Sequence, residues 1–332
     1  MEKLVAVDIG YGFVKVADDR KGFSFPSVVG VSNHTDLPSM RLKKVPIVDR
    51  LTIEIEDQLY NVGKSAMKHS QIMSRDLTIQ RTTKNYIDVL LFSALSLYAK
   101  DEYTSFKLVT GLPPGRMHME KELRRKYKDK SQSIVLVEEG KKTPYMIRIE
   151  DIEVVPQPIG TFWSTILDYD GQISNDIDGR IGVIDVGFGT SDLALIEGGE
   201  FVYERSHTLN EGLSNSFREI QKQIKLEFGV EVDNHLLEET IRKNEVKLMG
   251  KPVDISEICN KVFTSFCNNL MVEISSLWNL NSLDKVLITG GGGKLYSPYL
   301  LSDIPHASLI EDSFTANVRG YLSWLKRDEY MV

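Results

Sequence analysis

Cysteine is nearly absent from this chain of 332 residues, which holds only Cys259 and Cys267. Eight residues apart in a stretch of helical periodicity, they suit buried thiols better than a disulfide and point to a reducing, cytoplasmic setting. Long apolar runs are missing as well. None reaches the length needed to span a bilayer, and residues 1–20 lack the charged start and apolar core of a signal peptide. The six histidines, His34, His69, His118, His207, His235 and His306, show neither metal-ligand spacing nor an HExxH pattern. There is no low-complexity segment, and no excess of positive charge. A net charge of −7 argues against general nucleic-acid affinity, although a local basic patch stays compatible with it. What remains is an ordinary globular composition, 42% hydrophobic and 26% charged, long enough for two domains that each bury a core.

The most informative stretch is GVIDVGFGTSD, residues 182–192. An apolar run ended by Asp-x-Gly-x-Gly reads as a strand leaving a buried sheet through a tight turn. Glycines there allow close backbone approach, and the N–H groups of the turn can converge on an anion. Asp185 stands at the strand end, where a carboxylate can hold a hydrated cation. A single such turn is common in hairpins that bind nothing. This one has a twin: LVAVDIGYGFVK, residues 4–15, carries Asp8, Gly10 and Gly12 at the same spacing. Two copies predict two similar half-structures that grip one ligand between their turns.

Between and after the twins, strands alternate with helices, so each half is expected to be a mainly parallel or mixed sheet flanked by helices. Residues 30–75 read as a small insertion with its own strands, and 86–100 as a buried helix. FKLVTGLPPGRM (106–117) is a strand broken by Gly111, Pro113 and Pro114, which puts a loop at a strand end where α/β proteins bind ligands. The basic segment 121–130 reads as a solvated helix face. Residues 152–167 run as strand, proline break and helix, and the domain junction is placed there. A hairpin turns at Gly198-Gly199, and helices are predicted over 211–228, 235–243, 258–278 and about 316–325. The tryptophans Trp163, Trp278 and Trp324 sit in apolar helical contexts and are expected in the core.

Residues 284–298 form a strand opening into four consecutive glycines, Gly290–Gly293, a turn whose backbone can lie flat against a ligand. It is not a phosphate-binding loop of the Walker type, because Leu295 follows Lys294 where Ser or Thr is required. The second Asp-Gly motif is not a dinucleotide fingerprint either, since Asp192 replaces the third glycine.

DIGYGFVK, DVGFGTSD and ITGGGGKLYSP together resemble the two phosphate motifs and the adenosine motif of the actin, sugar kinase and heat-shock chaperone ATPase superfamily. Their order is right and they extend over nearly the whole chain. TGLPPG (110–115), VVPQPIG (154–160) and FTANVRGY (314–321) narrow the resemblance to the ParM-like plasmid-segregation actins and the related archaeal actin-like proteins.

The resemblance implies an α/β, actin-like fold of two ribonuclease H-like domains, with ATP (or GTP) and Mg²⁺ in the cleft between them. Domain I would cover 1–158, with the 30–75 insertion and a closing helix at 318–332. Domain II would cover 159–317, with a helical subdomain at 207–280. Asp8 and Asp185 would hold hydrated Mg²⁺. Gly10, Tyr11, Gly12 and Phe13 would wrap the β-phosphate, and Gly187, Phe188, Gly189 and Thr190 the γ-phosphate. Lys15 stands where many actins place a phosphate-contacting lysine. Gly290, Gly291 and Gly292 would lie along the adenosine. A looser analogy with the chaperones aims Glu239, Arg242 and Lys243 at the ribose and base, against the plainer reading of a solvated charged helix face.

Gln157 falls where the superfamily keeps its water-handling residue. Actin has glutamine there and the best-known plasmid ParM proteins glutamate, so this chain departs from them. An amide orients water but does not accept its proton, which implies slow hydrolysis suited to timing filament disassembly. A proline-flanked loop glutamine is the plainer alternative. The implied function is a polymerising, nucleotide-hydrolysing actin-like protein that moves plasmid DNA through an adaptor bound to a centromere-like site, with no membrane partner. Residues 30–75 and the loops near 229–256 are candidate subunit contacts. The rival readings are a small-molecule kinase, which would want an acidic base aimed at a hydroxyl, a non-polymerising nucleotide switch or scaffold, and a chromosomally encoded cytoskeletal or scaffold actin homologue.

Overall fold

The structure is a computed structural model that describes residues 2–32, 45–70, 73–74, 86–138, 140–175 and 178–330. His34 and parts of the 30–75 segment lie outside the described residues. The chain divides into two compact units, one made of Met1–Asp176 with Thr315–Val332, the other of Ile177–Phe314.

The first unit opens with β1 (Lys3–Ile9), β2 (Phe13–Ala17), β3 (Gly22–Pro26), β4 (Val29–Val31), β5 (Thr52–Ile55) and β6 (Gln58–Val62). There follow α1 (Lys64–His69), β7 (Met73–Ser74), α2 (Tyr86–Ser96), β8 (Tyr103–Leu112), α3 (Glu120–Tyr127), β9 (Lys130–Glu138), β10 (Lys141–Pro156) and α4 (Gln157–Ile166). The second unit holds β11 (Arg180–Val186), β12 (Ser191–Glu197), β13 (Glu200–Leu209), α5 (Leu213–Phe228), α6 (Asn234–Lys243), β14 (Glu245–Leu248), β15 (Lys251–Asp254), α7 (Ser256–Leu277), β16 (Lys285–Thr289), α8 (Gly293–Asp303) and β17 (Ala307–Leu309). The chain then returns to the first unit as α9 (Ala316–Tyr330). Among the described residues, no helix is long and apolar enough to cross a membrane.

The repeat seen in the motifs is a repeat of sheet topology. In the first unit β3, β2 and β1 pair antiparallel, and β8 and β10 continue in parallel. In the second, β13, β12 and β11 pair antiparallel, and β16 and β17 continue in parallel. Helices join the parallel strands, as such crossovers require. The strands of residues 30–75 do not form a sheet of their own. Through β5 against β9 they extend the first unit's sheet, because β9 offers β5 a free antiparallel edge.

Strand alternation decides what faces what. Val5 and Val7 of β1 join α2 in one apolar cluster, while Ala6 and Asp8, one residue out of phase, face the side where α9 packs on β1. Asp8 is thereby placed among α4 and α9. The helix α4, given to the second domain by the sequence, packs with α9 inside the first unit. Trp163 of α4 stacks on Trp324 of α9 with centroids 4.3 Å apart, and Trp324 donates Nε1–H to Glu153. Trp278 is buried and donates to the Arg205 carbonyl at 2.7 Å.

The basic segment 121–130, α3 and the start of β9, is solvated but not idle. Lys126 and Lys130 pair with Asp88 of α2 at 2.7 and 3.1 Å, and Arg124 and Lys128 with Asp151. Burial alone would raise the Asp88 carboxyl; hydrogen bonds from Lys126 and Tyr127 outweigh it and hold it below its ordinary range.

Cys259 and Cys267 lie two turns apart on α7, both buried and unbridged. Burial pushes their thiols up to about 11 and about 12, with small contributions from Asp254 and Asp303. At pH 8 about one Cys259 thiol in a thousand and one Cys267 thiol in ten thousand is ionised, against about one in ten for an ordinary thiol, so a disulfide reagent should modify both at least about a hundredfold faster in denaturant than in buffer. Rapid titration of either in the native chain would contradict this packing.

Candidate functional site

In the first unit the β1–β2 connection closes with the Gly10 N–H donating to the Phe13 carbonyl at 3.1 Å. Ser27 then takes up the carbonyl side of the turn. Its Oγ donates to the Gly10 carbonyl at 2.6 Å and its N–H to the Gly12 carbonyl at 2.9 Å. No peptide here is cis, so the N–H of each peptide points opposite to its C=O. The N–H groups of Tyr11 and Phe13 therefore face away from Ser27, an arrangement suited to phosphate oxygens. Arg116, just past β8, donates to the Tyr11 hydroxyl with its guanidinium 5.4 Å from the ring centre, placing a cation beside the turn.

Asp8, one residue before the end of β1, is 1% exposed. Lys15 sits directly across from it on β2 and donates Nζ–H to Oδ2 at 2.8 Å. The Lys15 side chain is itself only 13% exposed, so Lys15 is not a surface lysine. Gln157 donates Nε2–H to the other oxygen, Oδ1, at 2.5 Å. Gln157 is the first residue of α4 and is buried, not held in a loop; Pro156 precedes the helix and Pro158 occupies its first turn, where a proline costs no hydrogen bond. Asp8, Lys15 and Gln157 thus form one polar cluster at the base of the turn.

The second unit repeats the turn with a different support. The Gly187 N–H donates to the Thr190 carbonyl at 2.9 Å. Here the start of α5 does what Ser27 does in the first unit: Leu213 N–H meets the Gly187 carbonyl at 3.1 Å and Ser214 N–H the Phe188 carbonyl at 2.8 Å. Two of the otherwise orphaned N–H groups of that helix are so satisfied. By the same planarity, the N–H groups of Phe188 and Gly189 face away from α5. Asp185, buried one residue before the end of β11, is paired in register with Asp192.

Asp192, which the sequence marks only as a break in the dinucleotide pattern, holds the place that Lys15 holds in the first unit. The signal was available, since Asp8 to Lys15 and Asp185 to Asp192 are both steps of seven. Its Oδ1 accepts from Thr208 Oγ1 at 2.6 Å. The second unit thus sets a carboxylate opposite Asp185 where the first sets an ammonium opposite Asp8.

The glycine run bends from β16 into α8. Gly290 has φ +87°, and a Cβ there would lie 2.2 Å from Asp185 Oδ1 and 2.4 Å from the Val186 carbonyl. Gly292 donates its N–H to that same carbonyl at 2.8 Å and precedes α8, and Gly293 is already helical. Gly290 and Gly292 are thus pressed against the end of β11, while Gly291 has only ordinary contact with Phe314. The glycine loop and the Asp185 turn are one packed unit.

Glu239, Arg242 and Lys243 lie exposed on α6. Lys243 pairs with Glu239 at 2.6 Å and Arg242 with Glu238 at 2.7 Å, one turn apart, which is the geometry of a solvated helix face.

Residues 6–160 match the family described as "Actin like proteins N terminal domain", and residues 183–301 match "Archaeal actin homologue MreB-like, C-terminal". No curated protein sequence matches the chain significantly. Among solved structures, a 15-stranded ParM filament from Clostridium botulinum is 26% identical, with a TM-score of 0.79, covering 98% of this chain and 99% of that one. An archaeal actin homologue solved in complex with ADP is 21% identical, TM-score 0.80, covering 98% and 100%, and shares the fold. An apo ParM protein, psk41, is 21% identical with a TM-score of 0.74 over 99% of both chains.

Proposed function

The chain belongs to the actin-like proteins, in the group of the ParM and archaeal homologues, and from that premise we propose that it binds a nucleoside triphosphate with Mg²⁺, hydrolyses it slowly and assembles into filaments. One observation carries the reading: each unit has an Asp-ended strand and a turn whose carbonyls are tied back, so that N–H groups line its other side. The filament of the Clostridium relative supports self-assembly, and ADP on the archaeal homologue supports a nucleotide ligand.

In this proposal both turns serve one nucleotide, ATP before GTP. Tyr11 and Phe13 donate to the β-phosphate, Phe188 and Gly189 to the γ-phosphate. Asp8 and Asp185, with Asp192 beside it, hold the hydrated Mg²⁺, which supplies charge neutralisation at the phosphates. Gln157 orients the attacking water through its amide and takes no proton from it. Gly290–Gly292 carry the adenosine. The filaments work in the cytoplasm, moving plasmid DNA through an adaptor protein, a role that fits the acidic net charge.

Sedimentation with ATP, with ADP and without nucleotide, run alongside phosphate release, tests this. ATP-dependent pelleting followed by phosphate release is expected. Phosphate transfer to an added sugar with no pelletable polymer would replace it with a kinase. Gln157→Ala should keep nucleotide affinity and assembly and slow phosphate release about tenfold, equivalent to about 1.4 kcal/mol at the transition state. An unchanged rate would remove Gln157 from the chemistry.

A further inference from the structure

We propose that Tyr321 of α9 is a positioning residue for Gln157, so that the C-terminal helix sets where the Gln157 amide stands. The inference rests on the role proposed above for Gln157. Tyr321 is fully buried, and its hydroxyl donates to the Gln157 carbonyl at 3.0 Å. One turn earlier on α9, Asn317 Oδ1 accepts from the Thr161 N–H at 3.1 Å and from Thr161 Oγ1 at 2.7 Å. The Gln157 carbonyl and the Thr161 N–H are the two ends of the first i to i−4 step of α4. Two side chains of α9, four residues apart, therefore grip both ends of that step, at the helix terminus where backbone is otherwise least restrained.

The side chain of Gln157 is confined by the same contact. A Cβ on Gly111 of β8 would lie 2.0 Å from the Tyr321 hydroxyl oxygen and 2.8 Å from Gln157 Cγ. Strand, tyrosine and glutamine meet in a slot with no spare atom, and from it Gln157 reaches Asp8. The height of Tyr321 along α4 is fixed in turn, because Gly320 backs onto Gly160 and Trp324 stacks on Trp163. A phenylalanine would fill the same volume, so what the hydroxyl adds is its bond to the Gln157 carbonyl.

Tyr321→Phe in the full chain isolates that bond. Phosphate release with MgATP should show kcat lowered about fivefold and KM within about twofold, since nucleotide contacts are untouched. The double variant Tyr321→Phe/Gln157→Ala should be no slower than Gln157→Ala alone, because residues that act through one another are non-additive. A wild-type kcat in Tyr321→Phe where Gln157→Ala is slow, or multiplied losses in the double variant, would overturn the proposal. A second arm needs no hydrolysis. The Gln157 side-chain amide resonance of the nucleotide-free chain, assigned by its disappearance in Gln157→Ala, should shift and exchange faster with solvent in Tyr321→Phe. An unmoved resonance overturns the positioning role. A moved resonance together with wild-type hydrolysis in Gln157→Ala would keep the positioning and discard only the chemistry assigned to Gln157.

Discussion

Gly320→Ala is expected to lower the stability of the first unit by about 3 kcal/mol, the upper end of what overpacking with backbone displacement costs. The sign is the reverse of the usual one. At an unencumbered helix position the same change stabilises by about 1 kcal/mol, because alanine loses less backbone entropy. Here a Cβ on Gly320 would lie 1.8 Å from the Gly160 carbonyl oxygen, 2.7 Å from its carbon and 2.8 Å from the Ser164 nitrogen. All three are backbone atoms, so no rotamer change makes room and α9 must lift from α4. That motion would also separate the stacked Trp163 and Trp324, so tryptophan fluorescence in urea reads it directly. Gly198→Ala is the control: φ is +56° but nothing lies within 4 Å, so only the backbone term of about 1 kcal/mol applies. A Gly320→Ala chain as stable as the wild type would mean that the two helices do not cross as described.

Asp8→Ala should abolish nucleotide binding and also destabilise the first unit by about 3–5 kcal/mol, the cost of leaving one member of a buried ion pair in place. The ammonium of Lys15 keeps its burial and loses the carboxylate at 2.8 Å, and the Gln157 amide loses its acceptor at 2.5 Å. These two effects have different causes and can be separated. Replacing Lys15 by methionine in the same chain removes the charge and keeps the packing. Asp8→Ala/Lys15→Met should therefore recover most of the stability while nucleotide stays unbound, as judged by urea unfolding and a fluorescent-nucleotide titration. Wild-type nucleotide affinity in either variant would sink the role of Asp8; unrecovered stability would mean that the Lys15 charge is not what strains the single variant.

The part of the site that was legible from residue order is the part built from neighbours in the chain. Asp8 and its turn, Asp185 and its turn, and the α6 charge pairs each lie within about one turn or hairpin, where glycine placement and side-chain periodicity decide the geometry. The duplication of the turns carried the expectation of two similar halves, and the paired sheet topologies agree with it. Asp192 was within reach of the same reasoning. Its seven-residue step from Asp185 repeats that of Lys15 from Asp8, but the change from base to acid hid the equivalence.

Other features could not be read from local pattern. Ser27, the start of α5 and the α9 side chains Asn317 and Tyr321 reach the site from 17 to 164 residues away; FTANVRGY marks a family resemblance, but its local pattern does not say that Asn317 and Tyr321 grip α4. The same holds for β5, whose alternating pattern predicts a strand but does not name β9 as its partner. The order of residues alone determined two Asp-Gly turns, the strands that end in them and the helices that follow, because those depend on torsional preference and periodicity over a few residues. Only the tertiary structure decided what braces the turns, which helix holds Gln157 and where α4 belongs. Those choices turn on steric fit and hydrogen-bond satisfaction between segments that chain order does not bring together.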